Sequence, residues 1–242
     1  MHELWRWPVL AVTALFAATL AAVTGFGGAA VLLPVLVAVF GMRAAVPILT
    51  VAQLVGNGSR VWFNRREVNA RVVGWFALGG VPMAAVGGYL FAVAPLAALT
   101  RGLGVFLLFV VVWRRMRPRR PRPFPVQAFA GIGAGSSFLS ALLGSVGPIM
   151  APFFLAYGLV KGAYIGTEAL STVVMHVTKL VVYRQTAVLT GGDTVVGLAL
   201  GPLMVLGSWL GKRIVDKLPE RVFVAIIELV LVVAGVMFLV KG

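Results

Sequence analysis

Ala21-Ala22-Val23-Thr24-Gly25-Phe26-Gly27-Gly28-Ala29-Ala30-Val31-Leu32-Leu33-Pro34 is the stretch whose reading decides the fold. It lies inside an uncharged run of 36 residues, Trp7 to Met42. As one helix that run would be about 54 Å long at ~1.5 Å per residue, against a hydrocarbon core of roughly 30 Å. Two ordinary spans of about 20 residues each would leave nothing for a connection. Glycine in a helix costs roughly 1 kcal/mol relative to alanine, so Gly25, Gly27 and Gly28 predict a break. The expected arms run from about Val9 to Val23 and from Gly28 to Phe40. A break at membrane depth is tolerated only where its backbone groups are buried in protein or line a cavity. The second arm then starts with unpaired N–H groups and the positive end of its dipole, which outlines an anion site.

The whole composition agrees with a membrane setting. Sixty per cent of the 242 residues are hydrophobic and only 12% are charged. With a mean hydropathy of +1.01, the chain reads as an all-α polytopic membrane protein. There is no cysteine, which excludes disulfides and thiolate metal sites, and His2 and His176 are too few for a histidine site. No metal and no cofactor are expected. The net charge of +14 is read as the Lys and Arg excess of cytoplasmic loops rather than as a nucleic-acid surface. MHELWRWP carries no cleavage pattern of a secretory signal, and Trp5 and Trp7 read as interface anchors.

Beyond the first hairpin, Ala44 to Phe63 reads as a helix bearing polar residues, followed by the basic loop Asn64 to Arg71. Val72–Ala92 and Leu96–Trp113 read as further spans, the former rich in glycine that allows close helix packing. Arg114-Arg115-Met116-Arg117-Pro118-Arg119-Arg120-Pro121-Arg122-Pro123 is a cytoplasmic linker by charge and proline content. The expected organisation is a first transmembrane repeat over 1–113, the linker over 114–123, and a second repeat over 124–242.

The second half echoes the first. Pro123 to Val160 is an uncharged run of 38 residues, divided at Gly144-Ser145-Val146-Gly147-Pro148. Proline at the first helical position needs no N–H partner, so Gly147-Pro148 is a good helix start. Pro34 lines up with Pro152 and Arg43 with Lys161. With one-residue shifts, Gln53, Asn57 and Arg60 align with Thr172, His176 and Lys179, and Pro82 and Gly87 with Pro202 and Gly207. Transporters are commonly built from such duplicates, with broken helices at matching places. Lysine and arginine totals do not separate parallel from inverted repeats, but Lys212, Arg213, Lys217 and Arg221 favour inversion. Two inverted repeats follow, each a glycine-broken hairpin plus three helices, with about eight to ten membrane helices in all.

Thr50, Gln53, Asn57 and Arg60 share one helix face, and Glu168, Thr172, His176 and Lys179 share another. Polar groups at membrane depth are costly and face a cavity or one another. Inter-helix hydrogen bonding is the plainer account of one such stripe, Ser171 included. Two matched stripes beside two matched breaks favour a substrate path. Lys179 reads as the better cation for attracting an anion, and Arg60, near its helix end, is balanced between snorkelling and function. His176 reads as a seam histidine, Glu168 as an interfacial carboxylate beside Lys161, Asp193 as an N-cap after Gly191-Gly192, and Glu228 as unaccounted for.

At these residues the chain resembles the TauE/SafE family, the toluene-sulfonate uptake family of sulfite and organosulfur anion exporters. The resemblance covers nearly all of both halves. It rests on Thr24-Gly25-Phe26-Gly27-Gly28 with Leu33-Pro34, on the second copy Gly144 to Pro152, and on Gly166-Thr167-Glu168-Ala169-Leu170-Ser171 with Lys179. Ala45-Val46-Pro47-Ile48-Leu49-Thr50 is a looser match. Ala29 replaces a common glycine, the second copy is reduced to Gly-Ser-Val-Gly, and Glu168 stands in place of the usual serine. The resemblance implies a multi-pass transporter of small, often sulfur-containing anions in the cytoplasmic membrane.

The expected function is therefore secondary transport of a small anion such as sulfite. Gly25, Gly27, Gly28, Gly144, Gly147 and Pro148 would shape two helix starts around it. Thr24, Ser145, Gln53, Asn57, Ser171, Thr172 and His176 would add hydrogen bonds, and Lys179 and Arg60 charge. No G-x-x-x-x-G-K-[ST] loop is present, so transport would run on a gradient. The expected partners are the anion and the lipid bilayer, not nucleic acid; a homo-oligomer stays open. Two other classes rank below it: an intramembrane serine hydrolase using Ser145 and His176, which lacks a G-x-S-x-G elbow, and a structural membrane subunit without cargo.

Overall fold

The computed structural model describes residues 6–26, 28–95, 124–144, 146–223 and 225–226. The regular elements among them are helices: α1 (Arg6–Thr24), α2 (Gly28–Asn64), α3 (Ala70–Val93), α4 (Ala128–Leu143), α5 (Gly147–Ala156), α6 (Lys161–Gln185), α7 (Gly191–Ala199) and α8 (Gly201–Lys217). Among the described residues, five stretches are long and apolar enough to cross a membrane: α1, most of α2, α3, α6, and α7 with α8. The expected span over Leu96–Trp113, the arginine-proline linker, His2, Trp5 and Glu228 lie outside the described residues.

Both glycine-rich runs are interrupted where expected. α1 ends at Thr24 and α2 starts at Gly28; α4 ends at Leu143 and α5 starts at Gly147. The first arm is longer than its expected half. With 19 residues, α1 is about 28 Å long, close to a full crossing. The arms after the breaks are the short ones: α5, with 10 residues, reaches only about 15 Å. The expected Gly28–Phe40 and Ala44–Phe63 helices run on as α2, bent at Gly41 with φ 76° and ψ 161°. Just past that bend, Arg43 donates to the carbonyls of Ala92 and, at 3.3 Å, Ala94, at the carbonyl-rich end of α3.

Small residues set the helix spacing. On α8, Gly207 and Gly211 lie four apart and meet Ala18 and Ala22, also four apart, on α1. A Cβ on Gly207 would sit 2.6 Å from Ala18 Cβ and 2.8 Å from the Leu15 carbonyl. The two backbones are therefore in near contact, the packing that membrane helices reach through small residues. α6 is tied to the first half similarly. A Cβ on Gly166 would lie 2.9 Å from Asn64 Cβ, and the Asn69 N–H donates to Thr167 Oγ1 at 2.9 Å.

The bundle encloses a polar seam within an apolar core and is apolar on its outside. Val12, Phe16, Trp62, Leu78, Val181 and Val195 are exposed, whereas Gln53, Asn57, Arg60, Glu168, His176 and Lys179 are buried. A lipid exterior removes the reason to hide apolar side chains and adds one to hide polar groups. Asp193 is corrected by the structure. The N-cap of α7 is Thr190, and Asp193 is its N3 partner in a capping box, taking the Thr190 N–H at 3.0 Å.

Candidate functional site

Each break opens on a glycine that no other residue type would fit as well. Gly25 (φ 79°) and Gly144 (φ 81°) are both left-handed. Their N–H groups turn back to Ala21 O at 2.8 Å and Ser140 O at 2.9 Å, closing the helices that precede them. Tyr164 Oη donates to Thr24 O at 3.0 Å, and a Cβ on Gly25 would run into the Tyr164 ring. The two turns touch: a Cβ on Gly147 would lie 2.6 Å from Phe26 Cβ. The starts of α2 and α5 thus meet in the middle of the bundle although 119 positions separate Gly28 from Gly147.

Between them is a cavity of about 40 Å³. Gly25, Phe26, Gly28 and Ala29 come from the first break, and Gly144, Val146, Gly147 and Met150 from the second. Gln53, Asn57 and Arg60 of α2 and Glu168, Thr172, Met175 and His176 of α6 complete the wall, with Ala21 and Ser140. Gln53 lies 11 residues from the end of α2 at Asn64, and His176 lies 15 residues from the start of α6 at Lys161. These are about 16 Å and 22 Å of helix, which puts the cavity at membrane depth. α5 starts with no side-chain cap on Val146 and with Pro148 in its first turn.

The charges on the wall are paired. Arg60 Nη1 donates to Ala21 O at 3.0 Å, to Gly25 O at 2.9 Å and to Glu168 Oε2 at 3.3 Å. Its Nη2 donates to Asn57 Oδ1. Thr172 Oγ1 donates to Glu168 Oε1 at 3.0 Å. With Oδ1 taken, Asn57 Nδ2 has no partner, and neither has His176 Nδ1. Both residues line the cavity and are at least nine-tenths buried. A buried donor or acceptor left unmade costs about 1–3 kcal/mol, so two on one small cavity point to something that satisfies them.

Of the residues singled out in the sequence, Gly25, Gly28, Gln53, Asn57, Arg60, Gly144, Gly147, Thr172 and His176 are gathered on this wall. Gly28 also serves packing, since a Cβ there would lie 2.8 Å from Ala17 O on α1. Thr24 sits behind the wall, its hydroxyl within reach of Leu20 O (2.9 Å) and Phe26 O (2.6 Å). Ser171 donates to Thr167 O at 2.9 Å within α6. Lys179 Nζ donates to Ser140 O at 3.1 Å and Ser140 Oγ at 3.3 Å. It therefore reaches the cavity through Ser140. Gly27, Ser145 and the side chain of Pro148 lie outside the described residues. Glu168 is corrected: it is not interfacial beside Lys161 but buried, on the cavity wall, and paired with Arg60.

A bundle with an apolar exterior, five described stretches long enough to cross a membrane, and a buried cavity edged by Gln53, Asn57, Arg60, Glu168, Thr172 and His176 defines a polytopic membrane protein. The chain belongs to the sulfite exporter TauE/SafE family, whose model it matches over residues 10–238. That family consists of membrane transporters of sulfite and related anions, not enzymes, which sets the hydrolase reading aside. No curated protein and no solved structure matches the chain.

Proposed function

We propose that this protein is a secondary transporter that carries sulfite or a related small anion across the cytoplasmic membrane. The anion lies between the N-terminal ends of α2 and α5. One observation carries the reading: two helices start at a single buried cavity on which Asn57 Nδ2 and His176 Nδ1 have no partner. Helix starts attract anions through their N–H groups and dipoles. The cavity volume supports a small cargo, because one water needs about 10–15 Å³ on the same scale. An oxyanion the size of a few waters fits, and a long organic chain requires the walls to move.

Arg60 and Lys179 hold the carbonyl ends of α1 and α4 away from the anion, leaving the positive helix ends to face it. Gln53, Asn57, Thr172 and His176 supply side-chain contacts, while Thr24 and Ser171 shape the wall behind them. The halves act as inverted repeats that rock about this site. Thermal-shift screening of the purified chain against sulfite, thiosulfate, sulfoacetate, taurine and acetate tests the reading. Stabilisation by a small sulfur oxyanion, with matching uptake into proteoliposomes, is the expected result. No shift and no flux with any of them would support a subunit without cargo.

A further inference from the structure

We infer that Glu168 binds a proton when the anion enters, so that anion and proton cross together; this rests on the anion-transport reading above. The observation is the pairing of Arg60 with Glu168 across the cavity wall, at 3.3 Å and with both side chains 5% exposed. The other contacts of Arg60 are also acceptors: the carbonyls of Ala21 and Gly25 and Asn57 Oδ1. Its charge is already answered by one carboxylate and by the negative end of α1. An incoming anion thus meets a second negative charge in the same small buried space. Two like charges there are held apart in protonation, and one of them takes a proton.

Movement of Glu168 out of the wall is the costlier escape. Thr172 holds its Oε1 at 3.0 Å, and Gly166, two positions earlier, is packed against Asn64. Unpairing a buried charge without neutralising it is strongly unfavourable. A proton removes the conflict with the helix in place. It comes from water on the side to which the cavity is open and forms an O–H bond on the Glu168 carboxylate. Arg60 Nη1 then turns its hydrogen bond to the anion. On release the O–H bond breaks, the proton leaves to the opposite side, and the Arg60–Glu168 pair re-forms. A monoanion moves with no net charge, and a dianion moves one negative charge.

The titratable groups facing Glu168 are few. α2 offers Arg60; α6 offers Tyr164, whose hydroxyl is committed to Thr24 O, and His176, two turns further on. The wall contributed by α1 and α5 is Ala21, Gly147 and Met150, none of which titrates. His176 and Lys179, which reaches the cavity through Ser140 on α4, are therefore the rival proton acceptors, and the experiment separates them.

The test is calorimetric titration of the purified full-length chain with potassium thiosulfate and with potassium sulfate. It is run at pH 6, 7 and 8 in buffers of differing ionisation heat. Neither anion titrates in this range, so protons taken up belong to the protein. The expected result is about one proton per anion, with Kd rising about tenfold per pH unit. Glu168→Gln is expected to bring the count to zero and to flatten the pH dependence to within about twofold. Glu168→Asp, which keeps a carboxylate, keeps the proton. Anion binding by the wild-type chain without proton uptake would overturn the inference and leave the transport reading standing; that arm needs no variant to fold. A proton retained in Glu168→Gln would overturn it, in favour of the histidine if His176→Gln loses the proton and in favour of Lys179 if it does not. Failure of the wild-type chain to bind either anion at any pH would overturn the anion site itself.

Discussion

Arg60 and Lys179 do the same work at two places: each donates to main-chain carbonyls at the end of the helix that runs into a glycine turn. Arg60 takes Ala21 O and Gly25 O at the end of α1, and Lys179 takes Ser140 O near the end of α4. Tyr183, one turn beyond Lys179, adds a bond to Ala141 O at 2.5 Å. Buried carbonyls at helix ends need such donors, and cations there also answer the negative dipole end. The two cations thereby fix the turns from which α2 and α5 depart toward the cavity.

Lys179→Ala is accordingly expected to act on transport by releasing the α4 turn. Anion flux in proteoliposomes should fall about tenfold or more, the equivalent of about 1.4 kcal/mol or more at the site. The folded protein should still be recovered from the membrane as a single species by gel filtration. Unchanged flux would remove Lys179 from any part in the site.

Gly25 and Gly144 separate backbone strain from packing. Both need left-handed backbone, for which a Cβ costs about 1–2 kcal/mol. At Gly144 the nearest side-chain atom to an added Cβ is Leu33 Cδ2 at 3.2 Å, a contact that a small shift relieves. At Gly25 the added Cβ meets the Tyr164 ring, which is buried and hydrogen-bonded. Gly25→Ala should therefore lower the thermal midpoint more than Gly144→Ala. Equal effects would mean that Tyr164 gives way freely.

Gly207 and Gly211 against Ala18 and Ala22 are expected to control assembly of the bundle. Gly211→Leu forces α8 from α1, where an added Cβ already meets the Ala22 side chain. Overpacking of this kind costs about 1–3 kcal/mol and often more where backbones touch. The expected outcome is a large loss of monodisperse protein after extraction. Val205→Leu, on an exposed part of the same helix, should be without effect.

Much of this was legible in local sequence, and what was not has identifiable causes. The breaks were readable because glycine and proline act on the backbone within a few residues. Helical spacing placed Gln53, Asn57, Thr172 and His176 on two polar faces, the matched breaks beside them pointed to a shared path, and all four line the cavity. Glu168 was misjudged because its partner Arg60 lies 108 positions away, while Lys161 is close in sequence. The available signal was that Arg60 has no counter-charge on its own helix. Asp193 was displaced by one turn, although Thr190-Gly191-Gly192-Asp193 carries the Thr-x-x-Asp pattern of a capping box. α1 exceeds its expected arm chiefly at the outer end, Arg6 against Val9, because Pro8 reads as a stop although proline is tolerated in a first helical turn. Partnerless atoms, such as Asn57 Nδ2, are a property of packing that no local pattern encodes.

Asn57 gives the sharpest probe of the cavity. Its Oδ1 accepts from Arg60, and its Nδ2 is the donor left without a partner. Asn57→Asp keeps an acceptor for Arg60 and the volume of the side chain, but replaces that donor with a second anionic oxygen. An anion entering the cavity would lose a hydrogen bond and gain a like charge. The expected result is anion binding weakened by about tenfold or more, which corresponds to about 1.4 kcal/mol or more. Thermal stability without ligand should fall as pH rises, since two buried carboxylates then share the one Arg60 guanidinium. Asn57→Leu removes donor and acceptor together and should lower both binding and stability, because Arg60 Nη2 is left unanswered. Ligand-dependent thermal shifts on the two variants read these effects apart. Undiminished binding in Asn57→Asp would mean that the anion does not approach this wall.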